Sequence, residues 1–234
     1  MGTLYLIPNL LGDSGLHGAI PVGVQEIIRG IKVFAVEEAR NARRYLKQID
    51  KRVVIDQLEF LELDEHSSRM QVASCLTRLE REDVGIISGA GCPGIADPGA
   101  ELVALAHASG YRVSPLVGPS SILLALIASG CNGQRFSFNG YLPVRRDERV
   151  KALRAYERES AAECRTQLFI ETPYRNAVLL ADMLETLSAS TLLSIASDIS
   201  LPGEFIRSLP VGEWRLARPS LEKRPTVFTF LARR

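Results

Sequence analysis

The stretch 86-IISGAGCPGIADPGAE-101 sets four glycines and two prolines directly behind an apolar run. Gly89, Gly91 and Gly94 spell GxGxxG, the dinucleotide fingerprint, and that reading is tested first. A nicotinamide loop runs straight from its third glycine into a helix and carries an acid at the end of the next strand for the ribose hydroxyls. Here Pro93, Pro98 and Gly99 delay the helix, and the next apolar run ends in Val117, Gly118 and Pro119 without an acid. NAD binding is therefore disfavoured. What the stretch does offer is backbone with few side chains in the way at the carboxyl end of a strand, where open α/β sheets bind ligands. A tight turn before a helix starting near Pro98 would account for the same residues without a ligand.

Outward from this stretch, β-branched apolar runs bounded by Gly or Pro recur at Thr3 (TLYLIP), Ile31 (IKVFAV), Val84 (VGIIS) and Tyr111 (YRVSPLV). Helical patterns such as 67-SSRMQVASCLTRLERE-82 lie between them, so strand and helix alternate and a largely parallel sheet is predicted. The second half repeats the theme at Arg135 (RFSFNGYLP), Thr166 (TQLFIETP), Thr191 (TLLSIAS) and Pro225 (PTVFTFLA), with little helix before the last strands, which predicts a mixed sheet. The expected organisation is two α/β domains, 1–115 and 116–234, each a central sheet flanked by helices.

A second glycine loop, 115-PLVGPSSILLALIASG-130, again ends a strand with Gly118 and Pro119. Ser120 or Ser121 is placed to cap a helix that Gly130 terminates. Two such loops at one sheet edge point to one cleft.

Composition narrows the classes further. With 46% hydrophobic and 24% charged residues the chain is an ordinary globular one, and its net charge of +1 means that any nucleic-acid contact comes from a local patch. Cys75, Cys92, Cys131 and Cys164 lie 17, 39 and 33 residues apart, without CxxC pairing, and are expected to be reduced and mostly buried. GxxxxGK[ST], HExxH and GxSxG do not occur, and His17, His66 and His107 are scattered, so a P-loop, a zinc hydrolase and a serine-hydrolase elbow lose support and no metal is expected. The start, MGTLYLIPNL, lacks a basic leader and no apolar run approaches the ~20 residues of a membrane span, which points to a cytoplasmic protein without a membrane partner.

In order along the chain, GTLYLIP, EEARNARRYL, DEH, SGAGCPGIADPG, VGPSS then ASG, RFSFNGYLP and RTQLFIETPYR resemble the motifs of the tetrapyrrole-methylase superfamily, most of all its 16S ribosomal RNA cytidine 2'-O-methyltransferase branch. The chain resembles a shorter, divergent paralogue of that branch. The resemblance implies two α/β domains with an active-site cleft between them, S-adenosylmethionine (SAM) as methyl donor and a homodimer. It places Pro8, Ser88, Gly89, Ala90, Gly91, Gly94, Ile95, Ser120, Ser121, Ile170, Pro225 and Thr226 at the SAM site. Departures accompany it: the family's SDAGT is Ser88-Gly89-Ala90-Gly91-Cys92 here, EDTR is Glu37-Glu38-Ala39-Arg40, and the first loop reads NLLGDSG.

Methyl transfer from a sulfonium is an in-line displacement, so the protein chiefly aligns acceptor and donor, and a positioned base helps a weakly nucleophilic hydroxyl. Glu38 after IKVFAV and Glu171 after TQLFI are the candidate catalytic carboxylates, although Glu171 and Arg175 at helical spacing would equally stabilise a helix start. Arg40, Arg43, Arg44 and Lys47 fall on one helix face that could grip phosphates or simply be solvated; Arg145, Arg146 and Arg149 would extend it, and Glu65, His66 and Arg175 are further acceptor contacts. The expected activity is O-methylation of RNA, with the ribose 2'-hydroxyl of a 16S ribosomal cytidine as the acceptor the resemblance suggests. Its rivals are methylation of a tetrapyrrole or other small molecule, and a catalytically inactive SAM-binding scaffold.

Overall fold

The computed structural model describes the 234-residue chain apart from residues 14, 17, 64–68, 98, 218, 222 and 233–234, with the backbone alone described at 69 and 70. The chain divides into two compact units, Met1–Ser120 and Ser121–Arg234.

The first unit strings together β1 (Thr3–Ile7), α1 (Val22–Gly30), β2 (Val33–Val36), α2 (Ala39–Ile49), β3 (Glu59–Glu62), α3 (Arg69–Leu79), β4 (Val84–Ile87), α4 (Gly99–Ala108) and β5 (Arg112–Pro115). All its strand pairs are parallel, in the order β3-β2-β4-β1-β5. β2 and β4 are buried along their whole length, which is why VFAV and VGII read as continuous apolar runs rather than alternating ones. β3 and β5 form the edges and are only partly covered. β3 escaped the sequence reading because EFLE is short and carries a charge at each end. The amphipathic helix α2 buries Ala42, Tyr45, Leu46 and Ile49, an i, i+3, i+4, i+7 stripe that leaves its arginines on the outer side.

This strand order creates the site. The connection after β1 passes across β4 to reach β2, whereas the connection after β4 passes across β1 to reach β5. Neighbouring strands thus send their chains in opposite directions and leave a crevice at their carboxyl ends.

The second unit contains α5 (Ser121–Ser129), β6 (Phe136–Tyr141), α6 (Arg146–Glu163), β7 (Thr166–Glu171), α7 (Asn176–Thr186), β8 (Leu192–Ser197), β9 (Phe205–Pro210), α8 (Val211–Trp214) and β10 (Thr226–Leu231). Its sheet runs β6-β7-β10-β8-β9; only β6 and β7 are parallel, so the sheet is mixed as the sequence suggested. Phe169, Leu193, Ile195, Phe228 and Phe230 share one face and pack with Leu153, Leu179, Met183 and Trp214 from α6, α7 and α8. The opposite face carries Ser194, Thr229 and Ser208, and Ser208 donates from its Oγ to the Ser129 carbonyl of α5 at 2.7 Å. Each face of this sheet is therefore covered by helix.

The cysteines are less uniformly buried than expected. Cys75 is buried, Cys92 and Cys131 are half-buried, and Cys164 is exposed at the end of α6, which it closes in the left-handed conformation (φ 53°) that glycine usually supplies. Burial pushes the Cys75 thiol up to about 11, so almost no reactive thiolate exists there at pH 8. A thiol-disulfide reagent at that pH is expected to modify Cys164 within the mixing phase and Cys75 only after denaturation; Cys75 labelling at the Cys164 rate would contradict the packing. Among the described residues no helix is long and apolar enough to cross a membrane.

Candidate active site

In the first unit, the carboxyl ends of β1, β4 and β5 bring the two glycine loops together. Residue 9 is the clamp. Asn9 is buried and donates from Nδ2 to the carbonyls of Ser88 (2.9 Å) and Gly89 (3.2 Å), while its Oδ1 accepts the Leu10 amide at 2.8 Å. Its backbone exchanges hydrogen bonds with Gly91, at 2.8 Å from Asn9 N to Gly91 O and 3.2 Å in return. The buried Ser88 hydroxyl donates back to Gly91 O at 2.9 Å, which closes the turn from inside. Farther along, Asp97 Oδ1 accepts both the Gly94 amide (3.1 Å) and the Gly99 amide (2.8 Å), tying the loop to the first residue of α4.

The second loop is pinned to the first. Cys92 Sγ lies 3.4 Å from the Pro119 carbonyl. Gly118 admits the Pro8 ring: a Cβ on Gly118 would stand 2.2 Å from Pro8 Cγ, so residue 118 cannot carry a side chain without displacing the end of β1. Pro8 is fixed from the other side by the Tyr45 hydroxyl, which donates to the Pro8 carbonyl at 2.7 Å; burial raises the Tyr45 pKa above the ordinary phenol range, so it keeps that proton. Asn9 and Tyr45 are thus site residues that sequence reasoning missed. For Asn9 the signal was its place directly after the first strand; for Tyr45, on a helix stripe, there was none.

Pro8, Ser88, Gly89, Ala90, Gly91, Gly94, Ile95 and Ser120 therefore lie at these carboxyl-end loops, with Ser120 immediately before α5. The Gly89 and Cys92 departures leave the loop closed, because the bonds that shape it come from Asn9, Ser88 and Asp97 rather than from the altered positions.

Beside this loop opens a cavity of about 470 Å³ lined by Glu37, Glu38, Asn41, Ala42, Ile87, Ser88 and Gly89. Glu38 is exposed at the start of α2 and accepts from Asn41 Nδ2 at 2.5 Å. A Cβ at residue 89 would meet Glu37 Oε2 at 3.1 Å, so glycine there lets the neighbouring carboxylate lean against bare backbone. The cavity joins a candidate catalytic carboxylate to the first residues of the glycine loop.

The arginines of α2 divide. Arg40 is exposed; Arg44 donates to Asn41 Oδ1 at 3.2 Å; Arg43 lies over the Phe60 ring, 5.2 Å from its centroid; Lys47 donates to the Val53 carbonyl at 2.7 Å. Of the predicted extension of this patch, burial removes Arg149 and leaves Arg145 and Arg146 exposed. Arg149 is buried against Asp182, Arg146 binds Asp182 and Glu185, and Arg145 pairs with Asp147. Glu65 and His66 lie outside the described residues.

In the second unit, Glu171, Ser197 and Thr226 stand side by side across β7, β10 and β8. Ile170 precedes Glu171 on the other face of the strand, Pro225 precedes Thr226, and Ser121 opens α5. Thr226 Oγ1 donates to the Arg224 carbonyl at 3.0 Å and accepts from Ser197 Oγ at 2.8 Å. The Glu171 side chain is fully buried: Oε1 accepts the Thr172 amide at 2.7 Å, and Oε2 lies 2.8 Å from Arg175 Nη2, an ionic contact without hydrogen-bond alignment. Both oxygens face inward, an arrangement that anchors the start of α7. Among the described residues no group of three or more His, Cys, Asp or Glu side chains could hold a metal ion.

Solved structures of similar fold include methyltransferases. The methyltransferase CobJ matches with a TM-score of 0.64 and 17% identity, over 99% of this chain and 95% of its own, and the cobalamin-biosynthetic cobalt precorrin-4 methyltransferase CbiF with a TM-score of 0.61 and 16% identity, over 98% and 94%. The fold is that of the tetrapyrrole methylases. No family model matches the chain. The curated relative "Ribosomal RNA small subunit methyltransferase I" of Pseudomonas aeruginosa is 33% identical over 213 residues, 91% of this chain and 71% of the relative. The chain belongs to the ribosomal RNA small subunit methyltransferase I family.

Proposed function

We propose that this methyltransferase moves a methyl group from SAM to an oxygen of RNA, with the ribose 2'-hydroxyl of a 16S ribosomal cytidine as acceptor, and that it works as a homodimer. The observation that carries the reading is the single cavity shared by Glu38 and the Ser88–Gly89 backbone. The loop suits a donor held by main-chain groups: Gly94 has a positive φ of 80° and, among the described residues, no atom within 4 Å of where its Cβ would stand, while Gly89 has the Glu37 carboxylate nearby. Pro8, Ser88–Gly91, Gly94, Ile95 and Ser120 would hold SAM from the first unit. Bound SAM supplies an electrophilic methyl group activated by its sulfonium.

The chain's own residues do the rest. Glu38, exposed at the cavity and steadied by Asn41, accepts the proton of the acceptor hydroxyl as that oxygen attacks. Glu171, with both oxygens turned inward, serves by fixing Arg175 and the start of α7. Ala42 and Ile87 supply an apolar floor that limits water beside the attacking oxygen. Arg40 and Arg44 on the exposed side of α2 attract the RNA backbone.

The test is methyl incorporation from labelled SAM into ribosomal RNA from a strain lacking this gene, with nuclease digestion to locate the label. Glu38→Gln is expected to keep SAM affinity and lower kcat roughly 10²–10⁴-fold, the range of a positioned base. Label in a tetrapyrrole instead of RNA would overturn the substrate, and full kcat in Glu38→Gln would overturn the base.

A further inference from the structure

A second cavity, of about 450 Å³, opens on the other side of α2, between that helix, the edge strand β3 and α3, and falls within the ~300–1,000 Å³ range of ligand clefts. One wall is Phe60, backed by the buried Phe34 to which it lies nearly parallel (24°, centroids 6.0 Å apart), with Arg43 over the Phe60 ring. Glu62, Gln71 and Ser74 complete the lining; the Ser74 hydroxyl donates to the Gln71 carbonyl at 2.6 Å, and the Glu62 carboxylate, which accepts the Ala39 amide through Oε1 at 3.4 Å, suits the amino edge of a planar heterocycle rather than a phosphate. A carboxylate beside Arg43 disfavours a phosphate at that spot, so the guanidinium offers its plane more than its charge.

We propose that this groove receives an unpaired nucleobase of the RNA, stacked on the Arg43–Phe60 column and hydrogen-bonded at its edge by Glu62. Bases locked in an A-form helix cannot reach such a platform, whereas splayed single-stranded bases stack on aromatic rings and arginine planes. The groove lies on the opposite flank of α2 from the Glu38 cavity, so it holds a nucleotide other than the one methylated. The inference rests on the RNA reading above.

The experiment titrates a short fluorescein-labelled single-stranded RNA of mixed sequence, its fully paired duplex and an abasic version of the strand against the wild type, Arg43→Lys, Arg43→Gln and Phe60→Leu, with SAM titration and thermal melting as folding controls. Lysine keeps the charge and loses the plane. Arg43→Lys is expected to weaken single-strand binding about tenfold, within the range for a stacked base, without changing the salt slope. Phe60→Leu should match it, and abasic RNA should bind wild type and Arg43→Lys alike. Wild-type affinity in Arg43→Lys, or a loss in Arg43→Gln alone with a shallower salt slope, overturns the stacking role while leaving RNA as substrate. A wild type that binds SAM but none of the RNAs defeats the RNA reading, and this inference with it.

Discussion

Asn9→Leu is expected to lower SAM affinity by more than tenfold. The side chain is buried, and its removal strands the Ser88 and Gly89 carbonyls and the Leu10 amide together. Each unsatisfied buried group costs about 1–3 kcal/mol, and about 1.4 kcal/mol is a factor of ten in affinity. The loop can escape that cost only by opening, and opening dismantles the proposed main-chain cradle. Asn9→Asp sharpens the test, because it keeps the size and the acceptor for Leu10 but at neutral pH sets a carboxylate against two carbonyl oxygens. Calorimetric titration of both variants with SAM checks the expectation; wild-type affinity in a folded Asn9→Leu protein would separate the loop's shape from donor binding.

The largest stability effect is expected away from the site, at Arg149. Its Nε donates to Asp182 Oδ2 at 2.7 Å, and its Nη1 donates to the Pro143 and Val144 carbonyls at 3.0 and 2.6 Å, which ties the turn after β6 to α6 and α7. Both partners are almost fully buried. Arg149→Met removes the buried cation and leaves Asp182 with the more exposed Arg146, so unfolding is expected to become easier by roughly 3–5 kcal/mol. The double variant Arg149→Met with Asp182→Leu should recover most of that, since an apolar pair replaces a desolvated ionic one. Urea unfolding of the singles and the double closes the cycle. Two single losses that merely add in the double would show that the residues do not act as a pair.

Arg149 and Asn9 owe their roles to residues distant along the chain. Arg149 looked like part of a surface patch because it follows Arg145 and Arg146 in a charged run, and helical spacing alone puts it on a face without saying what covers that face. Its partner, Asp182, lies 33 residues away on α7. Asn9 looked like part of an altered loop, and its partners lie 79 and 80 residues away. Gly89 stands where the family motif carries a carboxylate, and in the structure the Glu37 carboxylate from the neighbouring strand end leans against that glycine.

What the sequence by itself determined is local or written in order along the chain. Apolar runs alternating with helical patterns specify the strands and helices, glycines and prolines after VGII and RVSP specify loops of bare backbone, and the succession of motifs specifies the methyltransferase family. Tertiary structure alone decided the strand order β3-β2-β4-β1-β5, the joining of Glu38 to the Ser88–Gly89 backbone in one cavity, the Asn9 clamp, the Pro8–Gly118 contact, the burial of Arg149 and the Phe34–Phe60–Arg43 column. The physical reason is that propensity and periodicity act over a few neighbouring residues, whereas hydrogen-bond partners, buried charges and cavities are set by segments that only the packing of the sheet brings within a few ångströms of one another.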